Sequence, residues 1–113
     1  MRFLITLSIV LFSIPSFSSD FEATDKEIEV ITNAVKASLK DPYSAKFKSI
    51  KRAGVDVCGE VNAKNSFGGY GGYMMFYGVY IDGASPKALI LDMADNKTSK
   101  QAILETCKEK GLL

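Results

Sequence analysis

Two cysteines, Cys58 and Cys107, are the only ones in this chain of 113 residues, and histidine is absent. Such a pair either stays as two thiols or ties the carboxyl end of the chain to its middle, and the redox compartment decides which. The first residues bear on that choice. Arg2 stands beside the amino terminus, a low-charge run extends from Phe3 to Ile14, and Pro15 with the small residues Ser16 and Ser18 follows. These are the three parts of a secretory signal, with cleavage expected after Ser18. The apolar run is twelve residues long, short of the roughly 20 needed to cross a bilayer core as a helix. No cysteine near the cleavage point could carry a lipid anchor. The expectation is therefore a leader at 1–18 and a soluble periplasmic or secreted chain at 19–113, without stable membrane insertion.

In an oxidising compartment Cys58 and Cys107 are expected to pair. Closing a loop of about fifty residues would stabilise the fold by about 4 kcal/mol in the chain-entropy model. Zinc is a poor alternative, because there is no histidine and no second cysteine at close spacing. The processed chain, about 95 residues, has room for one small domain. Of 14 Lys and Arg residues one, Arg2, leaves with the leader, so 13 basic residues face 13 acidic ones. A net charge near zero argues against polyanion binding, nucleic acid included, as the main role. A basic bias between Lys36 and Lys64 reads as solvated surface.

Thr24, followed three residues later by Glu27, predicts a capping box at the start of a helix. The stripe Ile28, Ile31, Val35 and Leu39 gives that helix one apolar face. Asp41 and Pro42 end it and can open a short turn that leads Phe47 into the core. The weakly alternating, lysine-rich stretch Phe47 to Arg52 suits an edge strand. In the next strand Val55, Val57 and Val61 share one face, while Asp56, Cys58, Glu60 and Asn62 share the other. Cys58 then points away from the valines, so its bridge requires a bulge near Gly59 or a helix on the far side of the sheet.

A glycine-dense turn from Asn65 to Tyr73 precedes a run, Tyr73 to Ile81, that is apolar on both alternating sets and predicts a central strand covered on both faces. Ala88 to Leu91 predicts a fourth strand, antiparallel to the third. Thr98 and Gln101 predict a second capping box, Ile103, Leu104 and Cys107 an inward helical face, and Gly111 a left-handed stop with Leu112 folding back near Cys107. The fold class is α+β: an N-terminal helix, a four-stranded, mainly antiparallel sheet, and a C-terminal helix tied to the sheet by the disulfide.

The glycines at 68, 69, 71 and 72 do not make a phosphate loop, since neither Gly-x-Gly-x-x-Gly nor Gly-Lys-Ser/Thr occurs and a strand follows. Asp56 and Glu60 are the one carboxylate pair that a small hydrolase could use, but without histidine no catalytic constellation assembles. The chain is therefore expected not to be an enzyme, and neither a cofactor nor a metal is implied. Phe67, Tyr70 and Tyr73, set among glycines beside Asn62, Lys64 and Asn65, are the candidate binding residues, because tyrosine suits surfaces with one wet edge.

The run Lys40-Asp41-Pro42-Tyr43-Ser44-Ala45-Lys46-Phe47, followed by Val57-Cys58-Gly59-Glu60-Val61-Asn62-Ala63-Lys64-Asn65 and a glycine-tyrosine turn, resembles a family of small exported proteins of bacteria and their prophages whose function is unknown. The resemblance implies export and a bacterial or phage origin, and no activity. The expectation is an exported binding module for a protein or an envelope glycan; the alternative is a phage-borne or envelope regulatory protein of the exclusion or lysozyme-inhibitor type.

Overall fold

The computed structural model describes residues 22–113; the expected leader at 1–18 lies outside them. Helix α1, Asp25–Lys36, starts at the expected capping box: the Glu27 amide donates to Thr24 Oγ1 at 3.3 Å, and the Thr24 amide donates to Glu27 Oε2 at 3.1 Å. A short 3-10 turn at Pro42–Ser44 leads into strands β1 (Lys46–Ala53), β2 (Asp56–Asn62), β3 (Met74–Ile81) and β4 (Lys87–Ala94), and helix α2 (Lys97–Glu109) closes the chain. The strands lie in chain order, every neighbouring pair antiparallel. The expected α+β architecture is the observed one.

The sidedness of β2 resolves the difficulty posed by Cys58. Val57 and Val61 pack with Ile31 and Val35 of α1 and with Phe76 and Tyr80 of β3. Cys58 faces the other way, into a second cluster with Ala94, Ile103, Cys107 and Leu112. The helices therefore lie on opposite faces of one sheet, and strict alternation delivers the Cys58 sulfur to α2. The Cys58–Cys107 bond is formed, with 6.2 Å between the Cα atoms. A disulfide suggests an environment other than the cytoplasm. Among the described residues no helix is long and apolar enough to cross a membrane.

β1 alternates weakly in sequence because it carries a bulge. Lys48 pairs with Glu60 and Lys51 with Cys58, so Ser49 and Ile50 together oppose Gly59. Ser49 adopts φ 56°, a left-handed conformation that costs a residue with a β-carbon about 1–2 kcal/mol. The inserted residue shifts the phase, and Phe47 and Ile50 both reach the α1 face. Across β2, Gly59 leaves room for the ring of Phe76: a β-carbon there would collide with Phe76 Cζ and Cε1. That ring also meets Phe47 edge to face, with centroids 6.4 Å apart. Gly59→Ala is expected to destabilise the fold by about 1–3 kcal/mol through overpacking, read as a lower urea midpoint at unchanged slope.

Arg52, the next β1 side chain on the α1 face, joins three separate segments. Its Nη1 lies 2.7 Å from Glu27 Oε1, its Nη2 lies 2.6 Å from Asp82 Oδ2, and its Nε donates to the Gly54 carbonyl at 2.8 Å. The guanidinium carbon sits 4.2 Å from the centroid of the buried Tyr80 ring.

Several details depart from the sequence reading. Val55 falls in the turn between β1 and β2 and is exposed. β3 is central but not wholly covered, since α2 shields Met75 and Tyr77 while Ile81 stays exposed. β4 extends beyond Ala88–Leu91 and is interrupted between Ile90 and Asp92, which leaves Leu91 without a partner residue and exposed. The cap of α2 is Asn96, whose side chain accepts from the Ser99 amide at 2.8 Å, in place of Thr98. Leu104 is only half-buried. Gly111 does follow the end of α2 in a left-handed conformation, φ 77°, and the Leu112 amide donates back to the Cys107 carbonyl at 2.9 Å.

Candidate functional site

The candidate residues gather where the loop between β2 and β3 docks on the Pro42–Ser44 turn, and Ser44 is the hub of that contact. Its hydroxyl donates to the Asp41 carbonyl at 2.8 Å and accepts from the Lys64 amide at 2.8 Å. Its carbonyl accepts from the Tyr70 hydroxyl at 2.9 Å. Lys40 Nζ adds a bond to Ser66 Oγ at 2.9 Å. The Pro42–Ser44 turn and the loop that follows β2, separated in sequence by the β1–β2 hairpin, thus hold each other in place.

Within the loop Asn65 has an architectural task. Its Oδ1 accepts from the amides of Phe67 at 2.9 Å and Gly69 at 3.2 Å, and its own amide donates to the Gly69 carbonyl at 2.8 Å. A side chain that organises its own turn in this way holds the turn's shape without a partner element. A bridge between Lys64 and Tyr70 closes the loop base. Phe67, at the tip, is 97% exposed, and Tyr70 is 40% exposed.

Tyr70 and Tyr73 each sit under a lysine. Lys46 Nζ lies 4.5 Å from the Tyr70 centroid, Lys64 Nζ lies 6.0 Å from it, and Lys48 Nζ lies 4.0 Å from the Tyr73 centroid. Asn62 pairs with Lys46 across β1 and β2, and its Oδ1 is buried without a hydrogen-bond partner among the described residues. The structure therefore brings Lys64, Phe67 and Tyr70 to one exposed surface, gives Asn65 to the loop's internal order, and places Tyr73 beside β1. Sequence reasoning missed Tyr43, which is 99% exposed next to Ser44, and missed Lys40. The Asp-Pro-x-Ser pattern pointed to a turn, and the residue at x is the one such a turn displays.

A cavity of about 390 Å³ opens between the chain following α1 and this loop. Leu39, Met74 and Met93 supply its apolar part, and Lys40, Lys64, Ser66 and Asp95 its polar part. Its size falls within the range of small-molecule sites, about 300–1,000 Å³.

Asp56 and Glu60, the carboxylates a hydrolase would need, are engaged elsewhere. Asp56 accepts from the Tyr77 hydroxyl at 2.7 Å, and Glu60 lies 3.9 Å from Lys48. The hydrogen bond to Asp56, then burial, holds the Tyr77 phenol above its ordinary pKa. The folded chain therefore keeps this proton where the unfolded chain releases it. The stability conferred is complete below the ordinary tyrosine value of about 10 and is lost as pH rises through the higher folded-state value. Denaturation at rising alkaline pH is expected to bring the wild type down towards Tyr77→Phe; parallel curves for the two proteins would contradict this.

No family model, curated protein or solved structure matches the chain.

Proposed function

We propose that the chain is an exported, non-enzymatic interaction module, periplasmic or secreted, whose loop from Asn62 to Tyr73 contacts a protein or an envelope glycan. The observation that carries this reading is Phe67. A phenylalanine 97% exposed on a loop ordered by Asn65 and tied down through Ser44 and Lys40 gains nothing for the fold by being there. A rigid loop presenting an aromatic ring loses little conformational entropy on binding, so contact energy becomes affinity.

The test is a photo-crosslinking amino acid at position 67, with the same group at exposed Leu89 as control, in cells that make the protein. Adducts specific to position 67 are expected. An adduct pattern identical at both positions, together with full retention of partners by a Lys64→Ala, Phe67→Ala, Tyr70→Ala variant, would remove the assignment.

A further inference from the structure

We propose that the surface made by the Pro42–Ser44 turn and the Lys64–Tyr70 loop binds an anionic polysaccharide, a chain of pyranose rings bearing carboxylates; this rests on the loop being a binding surface and gives that surface a ligand class. Two features of the surface point to it. Tyr43 and Phe67 are 99% and 97% exposed, and the turn and loop that carry them are joined through Ser44. An open ring face matches the apolar C–H face of a pyranose, which stacks on it while the sugar hydroxyls stay in water. Lys40 Nζ bonds to Ser66, the residue before Phe67, and the ammonium groups of Lys46 and Lys64 lie over Tyr70, 4.5 and 6.0 Å from its centroid. These lysines, clustered on the turn and loop that carry the exposed rings, supply a local attraction that the near-zero charge of the whole chain does not, and suit a polymer that offers both charge and ring faces.

The adjoining cavity suits the hydroxyl groups of a sugar. Alongside Lys40 and Lys64 it presents Ser66 and Asp95. Asp95 there can accept hydrogen bonds from sugar hydroxyls, and Lys40, Lys64 and Ser66 can donate to them. A protein partner fits less well, because the buried centre of a protein interface is depleted in lysine and here lysines surround Tyr70.

The experiment measures binding of the purified, oxidised protein to oligogalacturonate and to its methyl ester, which keeps every ring and loses the charge, with alginate, hyaluronate and oligothymidylate in parallel. The acid form is expected to bind at low salt, and the ester at least about tenfold more weakly, a difference of about 1.4 kcal/mol. Tyr43→Ala with Phe67→Ala is expected to cost at least about tenfold as well, and Lys46→Gln with Lys64→Gln to flatten the salt dependence. Equal binding of acid and ester, tighter binding of oligothymidylate, or no binding of any carboxylated polymer would each overturn the proposal. If a protein is crosslinked at position 67 while every polysaccharide fails, the binding surface stands and the ligand class falls.

Discussion

Removing the disulfide, by reductant or by Cys58→Ala with Cys107→Ala, is expected to lower the free energy of unfolding by about 2–4 kcal/mol. The bridge spans 49 residues, and releasing it returns that loop's closure entropy to the unfolded chain. For a domain whose total stability falls within about 5–15 kcal/mol, this is a large fraction. The loss should not be uniform. The cluster on the α2 face contains Cys58, Ala94, Ile103, Cys107 and Leu112, whereas the α1 face is built around Ile31, Val35, Phe76 and Tyr80 with a wider ring of partly buried neighbours. Amides of α2 should lose hydrogen-exchange protection first, those of β2 and β3 last. Urea midpoints that coincide with and without reductant would contradict the expectation.

The second large effect is at Arg52. Arg52→Ala is expected to cost about 2–3 kcal/mol, since the guanidinium is mostly buried and its loss strands a partly buried carboxylate and uncovers the Tyr80 ring. The two acidic partners contribute unequally. Asp82 is 74% exposed and Glu27 only 21%, so the Asp82 arm is worth at most a few tenths of a kcal/mol, as surface pairs generally are. Double-mutant cycles should therefore find coupling with Glu27→Gln and almost none with Asp82→Asn. Arg52→Lys should restore little, because one ammonium cannot reach Glu27, Asp82 and the Gly54 carbonyl in the directions a planar fork does. Equal coupling to both carboxylates would show that this account of the clamp is wrong.

How much of this was legible in the sequence depended on how local the deciding force was. The start of helix α1 could be read because Thr24, Glu27, Ile31 and Val35 act within a few residues of one another, but its end could not: it stops at Lys36, before Leu39 and the expected stop at Asp41 and Pro42. The disulfide could be read because two cysteines allow one pairing. The start of α2 was misplaced because Asn96 and Thr98 are both competent caps with a suitable partner three residues on, and asparagine is the stronger of the two. The bulge in β1 could not be read. Serine has no local preference for the conformation Ser49 adopts, which is imposed by Phe47 and Ile50 packing on one side of the sheet. Val55 looked like a core residue by alternation, but the tight turn after Ala53 needed it.

The candidate site was half visible for the same reason. Phe67 and Tyr70 stood out as aromatics among glycines. Ser44 did not, since nothing in its own neighbourhood shows that its hydroxyl and carbonyl will meet a segment 20 to 26 residues further on. Asn65 drew attention as a polar residue in a hairpin connection, and its use turned out to lie within the connection itself.

The placement of Cys107 on the last helix also fixes an order of events. Synthesis delivers the amino end first, so α1 and the four-stranded meander can form while Cys58 still carries a free thiol on the sheet face that α2 will later cover. That thiol must wait for α2. During this interval it is the natural target for an oxidoreductase or a neighbouring chain, and a mixed disulfide trapped at Cys58 would mark molecules stopped one step short of completion.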